Sequence, residues 1–252
     1  MKTGERDSDR FDRMKRIEWI DIDRIADSRI LVVGAGALGN EAVKCSVLAG
    51  FRDITVVDTD NIVKSNLSRC VFFREEDAGG PMKCDILAER ANELSPDADV
   101  KGIVSDVREL KSWDFDLILG CLDNISARLH VNSHAKYYGI PYIDGATDGM
   151  SGKVQTVADG PCLQCAMNST HSKIAELRFS CTGNSHMFVP HTAAEITTTS
   201  IIAALQVREA EKIISGREEL CVRGITYYNG EKGTLDTVSL DIDPDCPNHT
   251  RK

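Results

Sequence analysis

The chain of 252 residues lacks several things that would narrow its class at once. No apolar run approaches the roughly 18 residues that span a bilayer, which excludes a helical membrane protein. The opening MKTGERDSDR is charged and has no apolar core, so a secretory signal is not expected and a cytoplasmic location follows by default. The nine cysteines are not spaced as a disulfide framework; they read as metal ligands, reactive thiols and small buried hydrophobes. There is no excess of positive charge: at a net −9, broad nucleic-acid binding is disfavoured. No internal repeat and no low-complexity segment occurs. The six histidines form no defensible Ser-His-Asp order. What remains is an ordinary composition, 42% hydrophobic and 27% charged, in a chain long enough for one large α/β core.

The organising stretch runs from Ile30 to Arg69. Ile30 to Val33 reads as a buried parallel strand, and Gly34, Gly36 and Gly39 follow as G-x-G-x-x-G. The first glycine suits the tight turn, the second a close approach of phosphate to backbone, and the third the packing of a helix on the strand. That helix is expected over 37–49 with Gly50 as its stop, its N-terminus turned toward an anion. A second strand, 54–57, ends in Asp58, where a ribose hydroxyl would be held. So far this suggests a nicotinamide dehydrogenase. The polar run DTDNIVKSNLSR, Asp58 to Arg69, argues against it. Two acids, two asparagines and two basic residues suit a triphosphate and a metal, not hydride transfer.

Around this centre the chain reads in order. Residues 1–28 form a helical arm with an irregular stripe of Ile17, Ile20 and Ile25, and 29–252 a single ATP-binding domain. On spacing alone Arg13 and Arg16 belong to a solvated basic face. Pro81 fits the first position of a helix over 82–94, placing Lys83 in its first turn. A cation there opposes the helix dipole, which makes anion binding a more plausible role for it. Strands are expected at 100–104 and 117–120. The second ends in CLDN and puts Asp123 at the mouth of the sheet. A helix over 125–138 stopped by Gly139, then a strand at 141–143, completes a doubly wound, Rossmann-like parallel half. Beyond it an antiparallel strand is expected at 152–158, then a long crossing loop about 166–191, a long helix from 192 to 215, and two strands at 224–228 and 234–240.

Cys162-x-x-Cys165 and Cys246-x-x-His249 are two half-sites for one tetrahedral ion. They predict a closed, structural Zn²⁺ that staples the C-terminal strands to the sheet, with Cys221 as reserve ligand. Cys181, in the crossing loop, is either a buried small hydrophobe or a nucleophile activated by Arg178 or His186. Cys70, next to Arg69, carries the same ambiguity. Cys45, Cys84 and Cys121 read as core. The missing general base has its own meaning. A carboxylate attacking the α-phosphate of ATP is ionised at neutral pH; it needs Mg²⁺, Arg and Lys, and Asp123, Arg69 and Lys83 suit that task.

GAGALG, DTDNIVKSNLSR, GPMKCD, CLDN and the CxxC pair together resemble the ubiquitin-activating superfamily in its bacterial and archaeal form, the MoeB/ThiF adenylyltransferases, over residues 10–249. The resemblance implies ATP-Mg-dependent adenylation of the C-terminal glycine of a small ubiquitin-like or sulfur-carrier protein by a homodimer with one structural zinc per subunit. It implies that Gly36 lies beside the nucleotide and Asp58 binds ribose. Asn66, Arg69 and Lys83 would serve the phosphates, and Asp123 the magnesium. Arg13, in RFDR, would reach the other subunit's ATP, against the solvated-face reading. Cys181 falls where some members carry a cysteine that joins covalently to the carrier. Three departures stand out: Cys70 replaces a glutamine, His249 replaces a fourth cysteine, and no rhodanese-like sulfurtransferase domain follows, so sulfur is expected from a separate partner. Rival readings are adenylation of a small-molecule or tRNA-borne carboxylate, and an inactive binding half of a heterodimer; intact Asp123, Arg69 and Lys83 argue against the latter.

Overall fold

A computed structural model describes residues 7–167 and 193–249. Arg29–Val33 (β1) is flanked by Asp53–Asp58 (β2) and Leu117–Gly120 (β4), with Asp99–Val104 (β3) beyond β2 and Tyr142–Asp148 (β5) beyond β4, all parallel. Ser151–Val157 (β6), Ile225–Asn229 (β7) and Thr234–Val238 (β8) continue the sheet antiparallel, giving the order β3-β2-β1-β4-β5-β6-β7-β8. The expected parallel first half and antiparallel end are therefore both present.

The apolar strands sort their side chains alternately onto the two faces. Ile30, Val32, Leu117 and Leu119 pack beneath Ala37–Ala49 (α2) and Ile196–Ile214 (α5), while Leu31, Val33 and Ile118 face Ile125–Tyr138 (α4). Being covered on both sides, β1 and β4 read as continuous hydrophobic runs. Gly50 and Gly139 end α2 and α4 in left-handed conformations, φ 105° and 70°, at the positions the sequence marks as stops. The short helix Ile22–Asp27 (α1) sinks Ile25 fully into the core, whereas Ile17 stays exposed. No helix among the described residues is long and apolar enough to cross a membrane.

Several boundaries differ from the sequence reading: the helix expected to 94 ends at Asn92, the last strand expected to 240 ends at Val238, and three further differences have a visible cause. Pro81 does not open a helix: Met82 is extended and bridges to Asn61, and the helix runs Lys83–Asn92 (α3) with Met82 as N-cap. The Pro81 carbonyl instead accepts the Ile62 N–H at 3.1 Å, tying the loop back on itself. Strand β5 extends to Asp148, well past Ile143, because 144–148 pair with β6 across a two-residue turn at Gly149 and Met150. The last helix begins at Ile196, capped by the Glu195 carboxylate, which accepts the Thr197 and Thr198 N–H groups.

Candidate functional site

Chain order reverses between β1 and β4, so a crevice opens above their carboxyl ends. The glycine loop follows directly on β1, whose last residue, Val33, lines the crevice. Gly34 takes φ 102° and its N–H donates to the Val57 carbonyl at 2.8 Å. A Cβ on Gly39 would lie 1.9 Å from the Gly34 oxygen, which is why the helix can pack so close only with glycine there. Gly36, the N-cap of α2, has nothing within 4 Å of where a Cβ would stand; it faces open space at the mouth. Asn40, fully buried, donates to the Ala35 and Gly36 carbonyls and accepts the Phe72 N–H, fastening the loop to the segment after Arg69. Sequence reading did not single out Asn40.

A cavity of about 280 Å³ lies in the crevice, lined among others by Asp58, Asp60, Asp106, Arg108, Asp123 and Asn124. Asp58 is half-buried and accepts the Ala35 and Asp60 N–H groups, each at 2.7 Å. Burial raises its pKa, opposed by those hydrogen bonds and the charge of Lys83. Lys83 opens α3 and is buried; its Nζ pairs with Asp60 at 2.7 Å. The cation expected there thus has a fixed counter-ion, Asp60, which the sequence reading counted only as one acid of the run. Asp123 stands exposed just before Asn124, whose side chain caps α4 through the Ser126 and Ala127 N–H groups.

Arg69 is half-buried and donates to the Ser65 carbonyl within its own loop. Asn66 is buried, and its Oδ1 accepts the Val63 N–H at 3.0 Å, shaping that loop. Neither Arg69 nor Asn66 lines the cavity. Arg13 is 84% exposed in its side chain and, among the described residues, makes a surface ion pair to Asp7. Nearby, Phe11 packs at Gly50 and Arg10 donates to Ser95 Oγ at 2.6 Å, so the arm is anchored around it. Cys70 is buried and its thiol pushed up to about 11 by burial, despite Arg69 and Lys83; it is no thiolate at neutral pH. Cys84 and Cys121 are buried in the core as expected. Cys181, with Arg178 and His186, lies outside the described residues.

Beneath Asp123 a second network appears that the sequence did not reveal. Arg128 reaches from α4 to Asp144 on β5, donating from Nε at 2.9 Å and again from Nη2. Tyr142 donates to the same carboxylate at 2.7 Å. Gln206, fully buried on α5, donates to the Gly120 and Ile143 carbonyls, tying the end of β4 to the start of β5.

At the other side of α4, Cys162, Cys165, Cys246 and His249 bring four ligand atoms within 4.8 Å of one another. Sulfur–sulfur distances of 3.9 Å (Cys162–Cys165) and 3.6 Å (Cys162–Cys246) match the roughly 3.8 Å edge of a tetrahedron with ~2.3 Å metal–sulfur bonds. His249 Nε2 is buried with no hydrogen-bond partner, as a nitrogen reserved for a metal would be. Burial lowers the His249 pKa and so favours the neutral, ligating ring. The residues therefore fit a closed, four-ligand centre. Cys221 is not among them; its thiol is pushed up to about 12 by burial first and by Glu209 second.

The sheet, the glycine loop and the switch-point crevice define an α/β protein of the nucleotide-binding kind. The ThiF family model matches residues 12–248, and the chain belongs to that family. It is 29% identical over 237 residues to the SAMP-activating enzyme E1 of Haloferax volcanii, covering 89% of this chain and 81% of that protein. It is 30% identical over 239 residues to the sulfur carrier protein ThiS adenylyltransferase of Bacillus subtilis, again over 89% of this chain but 65% of that protein, just under two thirds of its length. A crystal structure of E. coli MccB with ATP superposes with a TM-score of 0.78 at 18% identity, covering 97% of this chain and 75% of the other, a likeness of fold.

Proposed function

We propose that this chain is an ATP-dependent adenylyltransferase that activates the C-terminal glycine carboxylate of a small ubiquitin-like or sulfur-carrier protein, releasing pyrophosphate. The observation that carries the reading is the crevice itself, lined by Asp58, Asp60 and Asp123 in a member of the ThiF family, with the glycine loop bonded to Asp58 through the Ala35 N–H and Lys83 paired with Asp60. Gly36, with open space where a Cβ would stand, leaves the α2 N-terminus accessible to phosphate. Asp58 is set to receive the ribose. The carrier carboxylate, ionised at neutral pH, attacks the α-phosphorus, and the bond to pyrophosphate breaks; no general base is required. Lys83, Arg69 and Asn66 offset or bind the phosphate charge, Lys83 exchanging Asp60 for a phosphate oxygen.

The acids lining the crevice, Asp58, Asp60, Asp106 and Asp123, suit Mg²⁺, which binds through one or two carboxylates and substrate phosphates rather than a full protein cage. Asp123, exposed and without an ion pair among the described residues, would be its holder; when bound, the ion would offset charge on the phosphates and pyrophosphate. Cys162, Cys165, Cys246 and His249 hold a structural Zn²⁺. The arm, residues 1–28, carries Arg13 outward from the single domain, 29–252, toward the ATP site of a second copy in a homodimer. Cys181 is the position for a covalent carrier adduct, and a separate sulfurtransferase supplies sulfur where the pathway needs it. The protein works in the cytoplasm, away from membranes and nucleic acid.

Carrier-dependent ATP–pyrophosphate exchange tests the reading, with NAD binding as the control for the dehydrogenase fold. Mixing Arg13→Ala with Asp123→Ala under subunit exchange should restore part of the activity, since one site in each heterodimer then carries neither defect. Exchange without a carrier requirement, or no recovery on mixing, would contradict the two parts respectively.

A further inference from the structure

Among the described residues three buried side-chain atoms have no hydrogen-bond partner: Ser46 Oγ, His249 Nε2 and Asn132 Nδ2. A buried donor without an acceptor is costly, and each one needs a reason. His249 has its reason as a metal ligand. Asn132 points to the same centre. It is fully buried on α4, and its Oδ1 accepts the Leu163 N–H at 2.9 Å. Leu163 follows Cys162 and opens the 3₁₀ turn Leu163–Ala166, which carries Cys165. The bond therefore fixes the segment between the first two ligands to the helix. It also brings the other end of the same carboxamide toward Cys162. Burial works to raise the Cys162 pKa, and the Asn132 amide is foremost among the groups that bring it below its ordinary value. Nδ2 thus acts on this sulfur, although no hydrogen bond of full geometry joins them.

The charge of the ligand set says what Nδ2 is for. Three thiolates and one neutral imidazole around a divalent cation carry a net charge of about −1. Cys162 and Cys246 are both buried, so water does little to solvate that charge. A buried charge is costly unless it is hydrogen-bonded, and N–H groups aimed at sulfur take over the task of water. Asn248 supplies one such group from the second half-site, its Nδ2 lying 3.7 Å from Cys162 Sγ. Asn132 supplies another from an element far away in sequence. We infer that Asn132 is a positioning residue of the metal centre: its Oδ1 holds the turn that presents Cys162 and Cys165, and its Nδ2 donates to the Cys162 sulfur when that is a metal-bound thiolate. An ionised acceptor shortens and strengthens such a bond, so loading the site satisfies the orphaned donor. This inference rests on the zinc reading given above and is independent of adenylation.

The test uses the full chain, wild type and Asn132→Asp. The substitution is nearly isosteric. It keeps an oxygen to accept the Leu163 N–H and replaces the donor to sulfur with an anionic oxygen. Zinc affinity is measured at neutral pH by competition with a chromophoric chelator, and the ligand field by absorption after exchange of zinc for Co²⁺. Asn132→Asp should bind zinc about tenfold to a hundredfold more weakly. Its sulfur-to-cobalt charge-transfer band should move to lower energy, because a thiolate relieved of an N–H bond is a richer donor. A residue that only shaped the turn would leave Asn132→Asp with the affinity and the band of wild type, and that result overturns the inference. Where Asn132→Asp does not fold, wild type loaded with spin-active cadmium decides. One side-chain amide proton of Asn132 should show scalar coupling to the metal through the N–H···S bond, and no coupling overturns the inference. Wild type that holds no metal removes the zinc reading itself, and the inference with it, while adenylation stands.

Discussion

The two halves of the sheet hold their chemistry in opposite ways. In the parallel half, the charged side chains of the crevice are open: Asp123 and Asp60 are exposed, and the glycine loop presents backbone rather than side chains. In the antiparallel half, Cys162 and Cys246 are buried and the unpartnered nitrogen of His249 is sealed inside. An open set of charges leaves room for a substrate to complete it, as a reaction site must. A closed set of four ligands has no vacant position for a substrate, which suits a structural ion rather than a reaction. The difference teaches that stability and chemistry are separable here, and substitutions should tell the halves apart.

The sharpest separation comes from Asp123→Ala. Pyrophosphate exchange should fall by about a thousandfold or more, while the thermal midpoint stays close to wild type, because the side chain is exposed and supports nothing. Lys83→Met should lower exchange by about a hundredfold. Its effect on stability should be small, since the Asp60 it leaves behind is 64% exposed and readily hydrated.

In the other half the order reverses. Cys246→Ser should lose about one bound zinc per chain, read by metal analysis, and destabilise by about 3 kcal/mol or more, read by denaturant unfolding. The crevice residues of any molecules that remain folded should still bind ATP.

The glycine loop sharpens the comparison within one half. Gly39→Ala has no room and should unfold or badly distort the loop. Gly36→Ala has room in the free protein, so its stability should change by less than about 1 kcal/mol while ATP affinity falls, read by titration calorimetry. Equal effects of the two substitutions would contradict the phosphate role of the loop.

The smallest effect is a pH dependence. Asp77, just ahead of α3, accepts from Arg90 and from the Arg74 N–H, and the Arg90 hydrogen bonds hold its pKa below the ordinary 3.8. A depressed folded pKa means that its stabilisation is fully present above the ordinary value and lost as pH falls through the lower folded one. Asp77→Asn should therefore cost about 1–2 kcal/mol at pH 7 and progressively less as pH falls below 3.8, read by urea unfolding at several pH values.

Much of the parallel half was legible because its signals are local. Apolar runs gave β1 and β4, glycine stops gave the ends of α2 and α4, and the acids at strand ends gave Asp58 and Asp123. The Cys/His spacing placed four ligands that do converge. What was not legible depends on contacts distant in sequence. The residues 144–148, DGATD, have little strand propensity and are extended only because β6 pairs with them. Arg128–Asp144 and Asn40–Phe72 arise from the packing of separate elements, and no spacing announces them. Pro81 fitted a helix start, but the bridge of Met82 to Asn61 won over that local preference.

The central claim is that the bond made in the crevice joins a carrier carboxylate to the α-phosphorus of ATP. It is tested most directly by incubating the protein with a ubiquitin-fold carrier ending in Gly-Gly and with ATP labelled at either the α or the γ position. Label from the α position should appear on the carrier, be removed by added pyrophosphate, and be absent with Asp123→Ala. Label carried from the γ position instead, or α label on a carrier whose terminal carboxylate is amidated, would contradict the account.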